Sequence, residues 1–344
     1  MKEFGSDFHY IAPTGVSNTL QDFFPSANYY ADGRQALIDL YRSQGWQRFW
    51  VPEYFCYDVI ESLKEAGLEL VFYTDYPDYH DDSKTIEAIQ RKGHFRPTDA
   101  ILRVNYFGMR SYCSTDKLMV PVVEDHTHDL ISGWAINSHA DWCIASLRKS
   151  LPIPEGGMLW SPVGLELPMA PAVSEENEKI AATRWEAMRL KARYLAGEEV
   201  EKVAFRAGFV DTEEYFDRAD VCALDVESQK FLQLFDIRDW YKRKWENWEL
   251  LRDIKKDGVR VLRPENRGCC PFSLILVFTT GEERDRVRKA LIEKQIYPAI
   301  LWNVPEVTEG EVFKMSRGIL SIHCDARYTK EDILQMKSII ESTL

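Results

Sequence analysis

Lys149 is the residue whose position most strongly suggests chemistry. It follows the apolar run Trp142–Leu147, which is typical of a buried strand, and Glu155-Gly-Gly begins six residues after it. Burying an ammonium group without a partner is costly, so a lysine at such a place is usually neutralised or bonded. Its amine is therefore the best candidate in the chain for a Schiff base with an aldehyde cofactor. The alternative is an ordinary exposed lysine at the end of a strand, because most lysines are exposed.

A carboxylate occupies a similar position one strand earlier. Asp125 comes just after the apolar run Val120–Val123, and ligands of open α/β sheets bind at the carboxyl ends of the strands. Asp125 and Lys149 would lie at such ends on successive strands, with a pyridoxal ring between them. Asp125 would then keep the ring nitrogen protonated, so that the ring withdraws electrons. Lys149 would act as the general base once the substrate has displaced it.

Two other interpretations of residues 124–129 stay open. The segment is rich in residues that cap turns, so it could be a solvated turn. It could also bind a metal, because His126 and His128 stand two apart beside carboxylates and would face the same way on an extended segment. We disfavour the metal site, because no second cluster of His or Cys lies at an obvious ligand spacing.

The stretch Asp32-Gly33-Arg34-Gln35 has the composition of a capped helix start. Free amides and the positive end of the helix dipole bind phosphate at such a start, and Arg34 would add a bidentate donor. A glycine near a helix start is common. The feature becomes informative because a cofactor phosphate would need such a site.

Strands and helices alternate in the first half of the chain, which predicts a parallel or mixed sheet between helices. Several strand candidates are apolar nearly throughout, as in strands covered on both faces. The predicted strands are Arg48–Val51, Leu70–Thr74, Ala100–Asn105, Val120–Val123, Trp142–Leu147 and Gly157–Trp160, and the predicted helices are Gln35–Gln44 and Tyr57–Ala66.

Two long helices are predicted next. The first, Ser174–Leu195, opens with a serine cap, and the second, Phe231–Ile254, has an aromatic stripe that would pack in the core or between domains or subunits. The predicted inner faces consist of Ile180, Met188, Ala192 and Leu195 in the first helix and of Leu234, Tyr241, Trp245, Trp248 and Leu251 in the second.

Lys255–Gly258 resembles a hinge. Residues 1–256 are therefore expected to form a large cofactor-binding α/β domain, and residues 257–344 a small C-terminal α+β domain. The predicted elements of the small domain are the strands Phe272–Phe278 and Tyr297–Leu301 and the helices Glu282–Lys294 and Lys330–Ser342.

Composition limits the class of protein. The 344 residues suffice for about two domains, and the net charge of −12 argues against a nucleic-acid surface. No apolar stretch approaches the ~18 residues of a membrane span, and the amino terminus lacks the apolar core of a signal peptide. The 7 cysteines form no Cys-x-x-Cys pair. We therefore expect neither a zinc ribbon nor a disulfide framework, and a cytoplasmic location.

Seven short motifs follow one another in a specific order. They are Gly33-Arg-Gln-Ala-Leu37, Val51-Pro-Glu-Tyr-Phe-Cys56, Phe72-Tyr-Thr-Asp75, Asn105-Tyr-Phe-Gly108, Glu124-Asp125-x-x-His128, Ser146-x-x-Lys149 and Glu155-Gly-Gly157. This order resembles the DegT/StrS family of aminotransferases, as a divergent branch of it. Residues 297–302 and 319–332 resemble the small domain of that family. The resemblance implies an α/β fold of the aspartate-aminotransferase type (fold type I), which binds pyridoxal 5'-phosphate (PLP).

The resemblance also implies roles for individual residues. Lys149 would carry the Schiff base, Asp125 would contact the ring nitrogen, and His128 would lie near the ring hydroxyl. Ser146 and the backbone of residues 33–35 (Gly33, Arg34 and Gln35) would hold the phosphate. Cys56 stands where the family stacks an aromatic on the ring, so Tyr57 or Phe55 would take that role. Trp302 and Arg327 are candidate substrate residues, although an ion pair with a neighbouring acid is an alternative for Arg327.

The implied activity is transfer of an amino group from an amino acid, such as glutamate, to a keto-sugar or related carbonyl compound. Such a reaction serves polysaccharide, lipopolysaccharide or secondary-metabolite biosynthesis, and the protein would be a homodimer. The sequence departs from the family at Arg34, where a threonine is usual. Residues 198–220 also lack the Tyr-Asn-x-Arg segment that reaches the partner's phosphate site. The acceptor therefore need not be a nucleotide sugar. Other carbanion chemistry and a non-catalytic binding role are the alternatives.

Overall fold

Twelve strands are present in the described part of the chain, and they form three sheets. The structure is a computed structural model that describes residues 3–15, 17–79, 87, 89, 95–112, 118–218, 220–306 and 308–344. In chain order the strands are β1 (Phe4–Gly5), β2 (Asn28–Tyr30), β3 (Arg48–Pro52), β4 (Glu69–Tyr73), β5 (Asp99–Val104), β6 (Val122–Asp125), β7 (Trp142–Ser146), β8 (Gly157–Trp160), β9 (Val259–Val261), β10 (Leu274–Phe278), β11 (Ile296–Tyr297) and β12 (Ile319–Ile322).

Most of the longer helices begin at a side chain that accepts a backbone N–H, as a helix start requires. Asp32, Ser174 and Asp236 are examples of such caps. The helices are α1 (Leu20–Phe23), α2 (Gly33–Gln44), α3 (Tyr57–Glu65), α4 (Gly133–Ile136), α5 (Leu147–Ser150), α6 (Glu175–Leu195), α7 (Lys202–Arg218), α8 (Val226–Leu232), α9 (Ile237–Leu251), α10 (Gly281–Glu293), α11 (Gly310–Gly318) and α12 (Lys330–Thr343). None of the described helices is long and apolar enough to cross a membrane.

The largest sheet has seven strands in the order β2-β8-β7-β6-β5-β3-β4. Strands β4, β3, β5, β6 and β7 are parallel, whereas β8 runs antiparallel to both of its neighbours. The carboxyl ends of β3, β5, β6 and β7 therefore meet at one edge of the sheet. This arrangement confirms the predicted mixed sheet, and all six predicted strands belong to it.

Helices cover both faces of this sheet. Neighbouring side chains of one strand point to opposite faces, and in β5 Ile101 belongs to one hydrophobic cluster while Ala100 and Leu102 belong to the other. Trp185 of α6 packs in the first cluster, and Leu37 of α2 packs in the second. Burial on both faces explains why these strands are apolar nearly throughout.

A three-stranded antiparallel sheet, β12-β10-β9, and the parallel pair β1-β11 form the rest of the fold. The sheet packs against α10 and α12 around Leu276, Leu320 and Met336. Phe4 and Trp248, from the amino terminus and α9, belong to the same hydrophobic cluster. The boundary between two domains at residue 256 stays a prediction.

Three predicted elements differ from the structure. The single helix Phe231–Ile254 is wrong, because the chain leaves α8 at Leu232 and a new helix starts after the cap Asp236, so Leu234 is 44% exposed. The strand Tyr297–Leu301 reaches no further than Tyr297. The buried face of α6 shares only Met188 with the predicted set, because several polar side chains are buried there with the apolar ones. That face consists of Asn177, Ala181, Arg184, Trp185, Ala187, Met188 and Lys191.

Candidate active site

Hydrogen bonds of Thr127 join the ends of β6 and β7. The Thr127 amide donates to Oδ1 of Asp125 over 2.8 Å, and the Ser146 amide donates to Thr127 Oγ1 over 2.9 Å. Ser150 Oγ donates to the Thr127 carbonyl over 2.6 Å. The segment with Asp125 is thereby fixed against α5, the helical turn that carries Lys149. Sequence reasoning did not identify Thr127, because its role depends on the pairing of two strands.

Lys149 lies in α5, directly after β7, and its side chain is exposed to solvent although many protein atoms surround it. Its amine forms no hydrogen bond or salt bridge with any residue that the structure describes. The neighbouring Arg148 cation, followed by burial, lowers the pKa of Lys149 to about 8. A larger share of this amine is therefore unprotonated near neutral pH than of an ordinary lysine, which makes it a better nucleophile.

Asp125 is the last residue of β6, and its side chain is buried. Burial raises its pKa, while the hydrogen bonds from Thr127 act in the opposite direction. In the described part of the chain, no lysine or arginine forms a salt bridge with it. Such a carboxylate can take a proton-bearing nitrogen of a ligand as its partner.

His128 lies between aromatic rings. Its ring stacks against Phe107 and Trp302 at centroid distances of 5.2 and 5.5 Å. The Phe107 amide donates to Nδ1 over 3.1 Å, so the proton of the neutral ring is on Nε2. Burial, then the charges of Lys244 and Lys149, lowers the pKa of His128 to about 3. The His128 ring is thus neutral and can donate a hydrogen bond from Nε2. Trp302, a predicted substrate residue, lies against this ring.

The start of α2 lies against the end of β7. A Cβ atom at Gly33 would be 3.0 Å from the Ser146 Cβ and 3.2 Å from its Cα, so a larger residue would push the end of β7 away by a few tenths of an ångström. Asp32 caps the helix through the Gln35 amide at 2.9 Å. The Gln35 side chain does not face the site, because its Oε1 accepts the Cys222 amide over 2.9 Å. Gly33 and Ser146, two of the predicted phosphate residues, are thus neighbours, whereas the Gln35 amide is already bonded to Asp32.

A group of cations surrounds this helix start. Arg34 lies 3.8 Å from Asp32, and Arg148 donates to Glu213 Oε1 over 2.9 Å. Burial would raise the pKa of Glu213, but Arg148, Arg184 and Lys149 lower it to about 2. The sequence did not predict Arg148 or Glu213 as site residues. In the sequence, the only indication that either residue belongs to the site is that Arg148 directly precedes Lys149.

Cys56 precedes α3 and Tyr57 is its first residue, but their side chains point to different surroundings. The charges of Cys56 and Lys149 influence each other, which places the thiol near the amine, and burial raises the pKa of the thiol. Tyr57 instead stacks on Phe72, with ring planes 6° apart. It faces a separate cavity of about 490 Å³ that is lined by Glu53, Tyr57, Lys64, Phe72, Pro305, Thr308 and Glu309. The structure therefore brings Cys56, and not Tyr57, to Lys149.

Arg327 is held in an ion pair. Its Nε and Nη2 donate to the two carboxylate oxygens of Asp325 over 2.8 and 2.9 Å, and Nη1 donates to the Asp7 carbonyl over 3.0 Å. The side chain is 1% exposed. This arrangement matches the ion-pair alternative.

The metal interpretation required His126 and His128 to face the same way, and the structure contradicts this. Strand β6 ends at Asp125, so the alternation of an extended segment does not continue through the two histidines. His126 Nε2 lies 2.9 Å from Glu124 Oε2, which also accepts from Ser138 Oγ over 2.6 Å. The ligand atoms of Glu124, His126 and Cys143 lie within 4.8 Å of one another. The closeness of these three side chains is explained by their hydrogen bonds to one carboxylate oxygen, Oε2 of Glu124.

Neither a protein-family model nor the sequence of a curated protein matches the chain. Solved structures of aminotransferases, in contrast, superpose over nearly its whole length. The aminotransferase PseC of Helicobacter pylori, involved in pseudoaminic acid biosynthesis, has a TM-score of 0.64 and 14% identity, with 99% of both chains covered.

Two further structures give the same result. A Streptococcus pneumoniae protein described as a sugar aminotransferase, in its PLP form, has a TM-score of 0.62 and 13% identity over 98% of this chain and 94% of that one. A DegT/DnrJ/EryC1/StrS aminotransferase of Brucella abortus has a TM-score of 0.59 and 14% identity over 94% and 87%. The chain therefore has the fold of these aminotransferases, which confirms the expected aspartate-aminotransferase-type α/β fold.

Proposed function

We propose that the protein is a PLP-dependent aminotransferase that moves an amino group from an amino acid, glutamate in the first instance, to a keto-sugar or related carbonyl compound. The observation that supports this most is the amine of Lys149. It has a lowered pKa and no partner among the described residues, and it lies at the sheet edge where Asp125 and Ser146 end their strands. The shared fold with aminotransferases supports the same conclusion.

The residues at this edge fit the chemical groups of PLP. An aldehyde needs a nucleophilic amine, which Lys149 offers, and a ring nitrogen needs a carboxylate, which Asp125 offers without a competing salt bridge in the described chain. A phosphate needs amides and cations at a helix start, and the glycine at the beginning of α2 allows the close approach to β7. The phosphate would be held by Ser146, Gly33, Arg34 and Arg148.

Each residue then has a distinct task. Bound PLP supplies an electron sink for the carbanion that forms at the substrate. Lys149 would hold the cofactor covalently. Once the amino donor has displaced the lysine from the cofactor, its free Nζ would accept and return a proton. Asp125 would keep a proton on the ring nitrogen. His128 would donate Nε2–H to the ring oxygen, and Trp302 would keep the imidazole in place by stacking.

A sugar acceptor is supported by the descriptions of two of the structurally similar proteins, one a sugar aminotransferase and the other involved in pseudoaminic acid biosynthesis. We also propose that the protein is a cytoplasmic homodimer, since sites of this fold are built at a two-fold interface in the family that the sequence resembles. Light scattering at micromolar concentration tests the dimer, and a monomer alone would contradict it.

Turnover tests the proposed activity. The purified protein is incubated with PLP, glutamate and a panel of keto-sugars, and the formation of 2-oxoglutarate is followed. The wild type should form it with at least one acceptor, and Lys149→Ala should not. Lys179→Ala, which removes an exposed lysine from α6, should retain full activity. If Lys149→Ala keeps the wild-type rate, the role of Lys149 is excluded.

A further inference from the structure

Trp240 and Tyr241 are consecutive buried residues of α9 that the proposed function does not use. A buried tryptophan or tyrosine usually bonds its polar atom to a partner, and here both partners are backbone groups of the candidate active site. Trp240 Nε1 donates to the Ser150 carbonyl over 3.0 Å, and the Leu130 amide donates to the Tyr241 hydroxyl over 3.0 Å. One bond therefore holds α5, and the other holds the turn after β6.

The helical turn α5 has few hydrogen bonds of its own. It is four residues long, and the Leu151 amide closes it by donating to the Leu147 carbonyl over 2.9 Å. A single helical turn is not stable in isolation, so its position depends on contacts with its surroundings. Ser150 provides such a contact, because its carbonyl accepts the indole N–H of Trp240. Lys149 directly precedes Ser150, so the same contact fixes the backbone that carries the amine.

The carboxyl-terminal half of α9 is itself bonded to another segment, the loop after β12. Arg243 Nη2 donates to the Ala326 carbonyl over 2.6 Å. Asn247 Nδ2 donates to the Asp325 and Tyr328 carbonyls over 3.0 and 3.2 Å. The helix is thus held along its length, and it can serve as a fixed support for the two turns that its aromatic residues contact.

We propose that Trp240 and Tyr241 are positioning residues of the candidate active site, whose hydrogen bonds from α9 fix the turns that carry Lys149 and His128. Both bonds are made to backbone groups, so they set where the turns lie and supply no chemistry of their own. This positioning is a property of the chain alone. Only the use of Lys149 to bind an aldehyde cofactor rests on the proposed function.

Reductive methylation of the cofactor-free protein tests this positioning. The reaction is run across a pH series and followed at Lys149 by mass spectrometry, and the pH of the half-maximal rate is determined. The lowered pKa of Lys149 requires its amine to stay beside Arg148 and enclosed by protein atoms. On a loosened turn, the amine should behave more like an ordinary lysine. The other groups that act on it, Arg34, Cys56 and Glu213, are unchanged in the variants.

Trp240→Phe keeps an aromatic ring but removes the donor to the Ser150 carbonyl. It should raise the pH of the half-maximal rate by on the order of half a unit. Tyr241→Phe removes the acceptor of the Leu130 amide and should raise this pH by a smaller amount, because the turn after β6 reaches α5 only through Thr127. If Trp240→Phe does not fold, Tyr241→Phe still tests the proposal.

Each variant has a matched control. Trp248→Phe changes a buried tryptophan of the same helix whose Nε1 has no hydrogen-bond partner in the described chain. Tyr328→Phe changes a buried tyrosine whose hydroxyl accepts the Gly5 amide over 2.7 Å. Both controls should leave the pH of the half-maximal rate at the wild-type value, even if they lower stability.

The outcomes separate the two residues. If Trp240→Phe or Tyr241→Phe titrates like the wild type, the role of that residue is overturned. An equal shift in the controls would overturn both roles. The methylation result does not depend on whether the protein binds PLP, so failure of the proposed function would be seen separately, as a lack of PLP binding.

Discussion

The Ser146 amide donates a hydrogen bond to the Thr127 hydroxyl, and this bond fixes the end of β7 against the turn that follows β6. Lys149 comes three residues after Ser146, and Asp125 two residues before Thr127. The distance between the amine and the carboxylate therefore depends on a threonine that contributes no chemistry of its own.

Removal of this hydroxyl should weaken both folding and the site. In Thr127→Val the Ser146 amide loses its acceptor, and an unsatisfied group of this kind costs about 1–3 kcal/mol. Urea unfolding should show this loss, and PLP should bind more weakly because α5 is no longer fixed. Thr127→Ser keeps the acceptor and should behave like the wild type. Equal stability of Thr127→Val and Thr127→Ser would contradict the assigned role.

The charge of Asp32 should oppose phosphate binding at the start of α2. Asp32→Asn keeps a helix cap but removes a negative charge near Arg34. We expect PLP to bind on the order of tenfold more tightly, which corresponds to the loss of about 1.4 kcal/mol of repulsion between the carboxylate and the phosphate. Equilibrium dialysis measures the affinity, and Asp236→Asn at the start of α9 is the control. Weaker binding by Asp32→Asn would show that the carboxylate assists phosphate binding.

The pKa of Lys149 should fall further when Glu213 is neutralised. The Glu213 carboxylate raises the pKa of Lys149 and so partly offsets the effect of Arg148. In Glu213→Gln the amine should lose its proton below pH 8, and its reductive methylation by formaldehyde should be faster near neutral pH. Glu227→Gln, which breaks a different ion pair with Arg189, should leave the methylation rate unchanged. A slower reaction in Glu213→Gln would contradict the assignment.

The stability of the protein should decrease as the pH rises through the range in which Asp129 ionises. Burial raises the pKa of Asp129 from 3.8 to about 7. Between these two values the folded state binds more protons than the unfolded state, so the free energy of unfolding falls with rising pH. The effect is on the order of 4 kcal/mol across this range. Asp129→Asn should lose less stability between pH 5 and pH 8 in urea unfolding. Identical losses would exclude Asp129 as the cause.

The sequence predicted the large sheet well because burial on both faces leaves a strong local pattern. β7 and β8 are apolar at nearly every position. The pattern also predicts the ends of β6 and β7, so it assigns Asp125 and Lys149 to one edge of the sheet. The break before Asp236 was not predicted, because the aromatic stripe continues across it and conceals the new helix cap.

Interactions between distant segments carried no sequence signal. Thr127, Arg148 and Glu213 gain their roles only when β6, β7 and α7 come together. The disfavoured metal interpretation required His126 and His128 on one face, but the turn after β6 directs them to different partners. Tyr57 was assigned to the site by its position after Cys56. The first residue of α3 instead points its side chain towards β4, where Phe72 contacts it.

Covalent attachment of PLP to Lys149 tests the central claim most directly. The protein is incubated with PLP, reduced with borohydride and digested, and its peptides are analysed by mass spectrometry. We predict a visible absorption band before reduction and a single modified lysine, Lys149, afterwards, with no specific label in Lys149→Ala. A protein that stays colourless with added PLP, or a label on other lysines with Lys149 unmodified, would contradict the account.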